Sequence, residues 1–365
     1  MSDADLYIGL MSGTSLDGVD AVLADFSNRP PRIRASAHQP FHSDLRAELL
    51  ALQSPGDDEI ARAAAAGNAL ALAYAAAVDA VIRASGSDKS VVQAIGCHGQ
   101  TVRHRPERGF TAQIGNAALL AERTSIRVVA DFRSRDVAAG GQGAPLAPAF
   151  HAEVFLDRNE SRAILNLGGI ANLTRLAPDG SVTGFDCGPG NCLMDLWCAQ
   201  HIGAPFDDSG KWASGGRVLP QSLARMQQEP YFALPPPKST GRDLFNDAWL
   251  RARINADDDA QSVQATLLEL TARSICDAIG RDLPRTQRVI ACGGGTRNLA
   301  LMTRLRQLLA PVPLESSDLH GIDPQLVEAI AFAWLARQSV RGLPGNLPSV
   351  TGARGRRVLG AVYPP

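Results

Sequence analysis

Three glycine-rich turns, each directly after an apolar run of strand type, constrain this chain more than any other feature. Ser12-Gly13-Thr14-Ser15 follows residues 7–10, Asp186-Cys187-Gly188-Pro189-Gly190-Asn191 follows 182–185, and Gly293-Gly294-Gly295-Thr296 follows 288–292. Glycine lets backbone N–H groups approach an anion, and small hydroxyls add donors. One such turn is ordinarily no more than a turn; three at strand ends in one chain favour phosphate binding. The first turn is also overfurnished. Ser12, Gly13, Thr14, Ser15, Asp17, Gly18 and Asp20 fall within nine positions, where a plain hairpin needs two or three turn residues. The surplus points to a held ligand.

The common phosphate motifs are absent. Gly210-Lys211-Trp212 has its preceding glycine, Gly203, at the wrong spacing for a P-loop, and Trp212 stands where Ser or Thr would hold magnesium. Gly188-Pro189-Gly190 is followed by Leu193 where a dinucleotide-binding turn needs its third glycine. Neither a P-loop NTPase nor a Rossmann dehydrogenase is supported.

Strands and helices alternate, which argues an α/β fold. Residues 5–10 and 19–26 read as a β-hairpin and 57–85 as a long alanine-rich helix with acids at its start. Strands follow at 91–97 and 126–131. A second unit repeats the first one's logic of strand, small-residue turn, strand, strand: 162–167, Gly168-Gly169, 174–176 and 182–185. Helices are expected at 192–202 and 261–282, a strand at 288–292, and helices at about 297–309 and 324–341, the last with Pro324 in its first turn. At 365 residues the chain exceeds what one core usually serves. Two domains are expected, 1–145 and 146–365, with a linker near 140–148; the last helix is able to return to the hinge.

The net charge of −1 gives no electrostatic case for nucleic acid or an anionic membrane. The start, MSDADLYIGL, lacks the basic and long apolar regions of a signal peptide. Residues 63–82 are apolar, but Gly67, Asn68 and Asp79 within them suit a packed helix rather than a membrane span. The six cysteines form no C-x-x-C pair and no zinc framework. Reduced thiols in a cytoplasm are the expectation.

Six segments then carry a resemblance to a known family: Gly9 through Asp20 (GLMSGTSLDGVD), Gly96 through Thr101 (GCHGQT), Asp131 through Asp136 (DFRSRD), Asn166 through Asn172 (NLGGIAN), Gly184 through Asn191 (GFDCGPGN) and Gly293 through Asn298 (GGGTRN). In this order they resemble the 1,6-anhydro-N-acetylmuramic acid kinases, within the sugar kinase/Hsp70/actin superfamily. They span nearly the whole chain, and together they are specific where each alone is weak. The resemblance implies two α/β domains of actin-like or hexokinase-like ATPase fold around a cleft, ATP and Mg2+ as cofactors, and a homodimer. It also implies an unusual reaction on 1,6-anhydro-N-acetylmuramic acid: ATP phosphorylates O6 while water opens the anhydro bridge at C1, giving N-acetylmuramic acid 6-phosphate for cell-wall recycling.

Carried onto this sequence, the resemblance makes Asp186 the catalytic base. A carboxylate within hydrogen-bond reach of water can take its proton as it attacks C1. By position alone Asp186 could equally cap a turn. Phosphoryl transfer is mostly positioning and charge stabilisation, and the ATP-binding set would be Gly13, Thr14, Ser15, Leu16, Asp17, Gly18, Val19 and Asp20, then Gly168, Gly169, Gly188, Gly190 and Asn191. Gly293, Gly294, Gly295 and Asn298 match the adenosine side, although they also read as a plain strand-to-helix connection with Asn298 exposed. His98, Gln100, Arg133 and Glu328 are candidate sugar contacts. Arg133 and Arg135 suit a carboxylate or phosphate, or an ion pair with Asp131 or Asp136.

One departure bears on the metal. The superfamily usually has an Asp two positions before the first Gly-Thr pair, and here Met11 stands there. The magnesium ligands therefore stay unassigned, with Asp17, Asp20 and Asp186 the nearby carboxylates. The competing class is a conformational ATPase of the Hsp70/actin kind without a sugar acceptor. It predicts slow ATP hydrolysis indifferent to sugars. A sugar-binding regulator would want a helix-turn-helix and a basic surface, and a plain glycosidase a carboxylate pair without nucleotide turns.

Overall fold

In the computed structural model, residues 5–13 and 16–365 are described; Thr14 and Ser15 of the first turn, with the four N-terminal residues, lie outside them. The chain divides into two compact units, residues up to Val154 together with Leu326–Pro365, and Phe155–Gln325. This differs from the division at 145/146 read from the sequence. Helix Ala147–Phe155 places Phe150 against Trp334 at 6.2 Å between ring centroids, and the C-terminal forty residues pack on the first unit's sheet, so both segments belong to it.

The first unit contains β1 (Leu6–Met11), β2 (Gly18–Asp25), β3 (Arg32–Pro40), β4 (Val92–Cys97), the small pair β5 (Gln100–Arg105) and β6 (Phe110–Ile114), and β7 (Val128–Ala130). Its main sheet runs β7-β4-β1-β2-β3, with the C-terminal strand Ala361–Tyr363 antiparallel on β7. β1 pairs antiparallel with β2 and parallel with β4. The second unit contains β8 (Arg162–Leu167), β9 (Ile170–Leu176), β10 (Val182–Pro189), β11 (Arg288–Cys292) and β12 (Leu314–Ser316). Its sheet runs β12-β11-β8-β9-β10. β8 pairs antiparallel with β9 and parallel with β11.

The two sheets therefore have one topology. β1, β2, β3, β4 and β7 correspond in order and direction to β8, β9, β10, β11 and β12. This correspondence places equivalent turns. The first hairpin turn, residues 12–17, matches Gly168-Gly169. The turn after β4, which carries His98 and Gln100, matches Gly293-Gly294-Gly295 after β11.

Side-chain alternation on β1 puts Ile8 and Leu10 on one face of the sheet and Gly9 on the other. Ile8 and Leu10 share a core with Leu70, Tyr74, Val78 and Val81 of helix Glu59–Ser85. That helix is long and apolar enough to cross a membrane, but these residues bury it on the sheet. Gly86, at φ 66°, ends it in the left-handed conformation that glycine adopts readily.

The opposite face holds helix Val327–Val340. Gly9 and Gly96 are register partners on β1 and β4. A Cβ on Gly9 would overlap the carbonyl oxygen of Ala329, and one on Gly96 that of Phe332. The paired glycines let the helix backbone lie directly on the strands. The helix begins at Val327, after the expected start at 324; Pro324 instead lies in the preceding turn, where its carbonyl accepts the Gly293 N–H at 2.8 Å.

Candidate active site

The first hairpin turn leaves β1 at Ser12. Its side chain is buried rather than offered to a ligand: the hydroxyl lies 2.7 Å from the Tyr74 hydroxyl and donates to the Gly99 carbonyl at 3.1 Å. Leu16, at φ 55°, is buried, and its N–H reaches the Gly13 carbonyl at 3.4 Å. Asp17 is exposed at the turn tip and its carbonyl accepts the Phe41 N–H at 3.1 Å. Gly18 and Val19 are buried at the start of β2. Asp20 is half-exposed and paired with His38 Nδ1 at 2.8 Å. Thr14 and Ser15, the two hydroxyls expected at the phosphates, lie outside the described residues.

Arg133, His98 and Glu328, three of the four candidate sugar contacts, cluster, and Gln100, the fourth, is at the same turn as His98. Arg133 donates to His98 Nε2 from Nη2 at 2.9 Å and from Nε at 3.3 Å, and to the Gly143 carbonyl from Nη1 at 2.8 Å. The carboxylate of Glu328, in the first turn of helix Val327–Val340, is near enough to act on the Arg133 charge. Burial brings the Arg133 guanidinium down to about 10 even with that support.

Burial, then the Arg133 charge, pushes His98 down to about 3, so its ring is neutral at physiological pH. Nε2 accepts from arginine, which leaves the proton on Nδ1. The backbone at Ser12 and Gly99 lies beside the ring and favours protonation weakly, but Nδ1 completes no hydrogen bond among the described residues. Oε1 of Gln100, two residues on, is likewise buried without a partner among them. Two unsatisfied buried polar atoms at one turn are costly unless a ligand or water meets them.

The two aspartates of DFRSRD have structural duties. Asp131, at φ 57°, accepts the Ser134 N–H at 3.3 Å. Arg135 is exposed. Asp136 is fully buried and accepts from the Gly143 N–H at 2.8 Å, Asn346 Nδ2 at 2.6 Å and Thr351 Oγ1 at 2.8 Å. Arg133 thus bonds a histidine and a carbonyl rather than either neighbouring aspartate.

In the second unit Gly168, Gly169, Gly190 and Asn191 are stitched together. The N–H groups of Gly190, Asn191 and Cys192 donate to the carbonyls of Gly169, Gly168 and Gly169 at 2.9, 2.9 and 3.0 Å. Asn191 Nδ2 reaches the Leu167 and Gly168 carbonyls at 3.2 and 3.1 Å. A Cβ on Gly190 would overlap the Gly168 carbonyl. These amides are used inside the protein. The role of Gly190 and Asn191 here is to shape the Gly168-Gly169 hairpin, the counterpart of the first one. Gly188, at φ 154°, faces Phe232 and Ser274.

Asp186 is in β10, at a register irregularity before Gly188, and does not cap a local turn. Its N–H donates to the Lys238 carbonyl at 3.1 Å, and its Oδ2 accepts the Thr240 N–H at 3.0 Å. Tyr231 donates to its carbonyl at 2.7 Å. Burial raises the carboxyl to about 6, with the Thr240 bond as the opposing effect. Lys238 does not offset this; its ammonium is turned to the Tyr231 and Phe232 carbonyls, both at 3.2 Å. Sequence reading missed Tyr231, Lys238 and Thr240, whose only signal is the rigid Pro235-Pro236-Pro237 run before a polar segment.

Gly293, at φ 86°, lies against Asn166 and Leu167, and a Cβ on Gly295 would come within 3.0 Å of Asn191 Nδ2. The third glycine turn therefore abuts the Gly168–Asn191 pair. Gly294 is exposed, and a Cβ there would meet Gln325 Oε1 at 3.9 Å, an ordinary contact. Gln325 Nε2 braces the turn through the Gly293 carbonyl and Thr296 Oγ1, at 3.2 and 3.0 Å. Asn298 is buried, not exposed, and caps helix Leu299–Leu309 by accepting the Leu301 N–H at 3.0 Å. Among the described residues no group of three or more His, Cys, Asp or Glu is placed to hold a metal.

Residues 5–365 match the family model described as anhydro-N-acetylmuramic acid kinase. A protein of that name from Variovorax paradoxus is 56% identical over 372 residues, covering 99% of both chains. One from Nitrosomonas europaea is 52% identical over 360 residues, 98% of this chain and 99% of that one. One from Chromobacterium violaceum is 53% identical over 364 residues, 99% of each. Matches of this extent, over two α/β units with glycine turns at equivalent strand ends, make the chain an ATP-dependent enzyme of the sugar-kinase class. It belongs to the anhydro-N-acetylmuramic acid kinase family.

Proposed function

We propose that the protein transfers the γ-phosphoryl group of ATP to O6 of 1,6-anhydro-N-acetylmuramic acid while water opens the anhydro bridge. The product is N-acetylmuramic acid 6-phosphate, returned from cell-wall turnover to amino-sugar metabolism. The observation that carries this reading beyond family membership is Asp186, a carboxyl raised to about 6 by burial and held by the Thr240 N–H. A base poised near neutral pH is what water activation needs.

In the proposed step, Asp186 takes a proton from water as the water oxygen bonds to C1. The C1–O6 bond breaks, and O6 takes the phosphoryl group as ADP leaves. The family resemblance assigns the ATP phosphates to Gly13 through Asp20, with Thr14 and Ser15 as hydroxyl donors, and to Gly168-Gly169. Gly294, exposed at the third glycine turn, is on the adenosine side by the family resemblance. Neutral His98 and Gln100 present one N–H donor and one carbonyl acceptor to the sugar, while Arg133 and Glu328 supply charge beside them. Magnesium would come with the nucleotide phosphates, Asp17, Asp20 and Asp186 being the carboxylate candidates and water completing its shell. The described cysteines are all free, which suits a reducing cytoplasm, and the family resemblance favours a homodimer.

The test is ADP release from Mg-ATP with and without the anhydro sugar. Sugar-dependent release supports the reading. Release at the same slow rate in both would replace it with a conformational ATPase.

A further inference from the structure

Tyr74 is the one aromatic residue in the alanine-rich helix Glu59–Ser85. Phenylalanine would pack equally well, yet a hydroxyl is present and is buried with its residue at 1% exposure. A buried hydroxyl without a partner is destabilising, and this one meets Ser12, itself 1% exposed, at 2.7 Å. The direction of the chain follows. Ser12 uses its single hydrogen on the Gly99 carbonyl at 3.1 Å, so it must accept from Tyr74. The sequence is Tyr74 O–H to Ser12 O–H to Gly99 C=O, each bond polarising the next.

The two ends of this chain matter. Ser12 opens the β1–β2 turn. Gly99, at φ 73°, stands between His98 and Gln100, and the His98 N–H donates to the Leu10 carbonyl at 3.1 Å. A backbone bond thus joins the end of β1 to the turn after β4, and the Ser12 hydroxyl joins the hairpin turn to it, with Tyr74 holding that hydroxyl in place.

We propose that Tyr74 and Ser12 are positioning residues that couple nucleotide binding at the 12–18 turn to sugar binding at the 98–100 turn. This rests on the function proposed above. Both hydroxyls are committed to protein partners rather than assigned to a ligand. A nucleotide bound beside Ser12 holds that residue in place, and through its bond to Gly99 sets the His98 and Gln100 side chains for the sugar. Reciprocity requires the sugar to tighten the nucleotide by the same factor.

The test is calorimetric titration of the full-length protein with the anhydro sugar, alone and with saturating Mg2+ and the non-hydrolysable β,γ-imido analogue of ATP. The wild type should show a tighter sugar Kd with the analogue. Tyr74→Phe should shrink that factor by about two- to tenfold, the range one hydrogen bond of ordinary net strength spans. The Kd of each ligand alone should change less than the factor does. Ser12→Ala should act in the same direction, and the double variant should add little to it. A merely structural loss would weaken both ligands and leave the factor intact. An unchanged factor in both variants, or no coupling in the wild type, overturns the proposal. If Tyr74→Phe does not fold, Ser12→Ala decides. Absence of any sugar binding by the wild type, or unaltered sugar binding in His98→Ala, would instead sink the assigned sugar contacts.

Discussion

The Thr240 N–H donates to Oδ2 of Asp186 at 3.0 Å, while the Asp186 N–H donates back to the Lys238 carbonyl at 3.1 Å. The segment after the proline run thereby fixes the carboxylate by backbone alone and brings no cation to it. Burial then dominates, and the carboxyl titrates near 6 instead of near 3.8. The base form grows as pH rises through about 6, so kcat/KM should show an acid limb with an apparent pKa near 6, falling tenfold per unit below it. Stability has the opposite sign. The folded state holds this proton more tightly than the unfolded chain, so the stability from this group is lost as pH rises from about 4 through about 6.

Asp186→Asn should lower kcat by roughly a hundredfold or more, the scale of a lost general base, and should remove the acid limb. Binding of the imido analogue should be nearly unaltered. Steady-state kinetics with a parallel nucleotide titration checks both. Near-full activity in this variant would remove Asp186 from the mechanism.

Arg133 reaches His98 and the Gly143 carbonyl with one planar fork. Lysine has a single nitrogen and cannot serve both directions. Arg133→Lys should raise the KM of the sugar by about tenfold, the loss of one charge-assisted bond, and leave that of ATP nearly unchanged. Because His98 is neutral down to about 3, the acid limb should stay where Asp186 puts it. An acid limb that moves with Arg133 would instead implicate the histidine.

Gly9→Ala should be more damaging than any glycine-to-alanine change in an open turn. The new methyl group would overlap the Ala329 carbonyl, and backbone cannot swing aside as a side chain can. A loss of about 3 kcal/mol, the upper range for overpacking, is expected in denaturant unfolding. Glu328 is next to the displaced residue, so sugar affinity should fall further than nucleotide affinity. Gly109→Ala, whose Cβ meets nothing within 4 Å, is the control: strained in backbone at φ 78° but clear of the helix.

The parts of this protein legible in its sequence are those governed by local chemistry. Apolar runs bounded by glycine marked β1, β2, β8 and β11 to within a residue or two, and the repeat of hairpin logic foreshadowed the shared topology. β3 escaped notice because its alternating RIRASAHQP pattern contains few large apolar residues, as suits an edge strand. What the sequence hides is the use to which a group is put across long separations. The amides of Gly190 and Asn191 read as phosphate donors, but the Gly168 and Gly169 carbonyls occupy them. Asn298 matches the adenosine side by its motif, with exposure as the plainer alternative, but its side chain is buried and caps a helix. Gly9 reads as part of the apolar strand run 7–10, but its absent side chain admits a helix more than three hundred residues later in the chain. Asp186 was legible through its motif, whereas its raised carboxyl was not, since Tyr231, Lys238 and Thr240 come from a loop with no motif of its own.

The central claim is that ring opening and phosphorylation are one event with water as nucleophile at C1. It is tested most directly by a mass spectrum of the product formed from Mg-ATP and 1,6-anhydro-N-acetylmuramic acid in oxygen-18 water. The account predicts a product heavier than the substrate by one phosphoryl group and one water, with the heavy oxygen on C1. A phosphorylated sugar with the anhydro bridge intact, or with the label on phosphate, would contradict it.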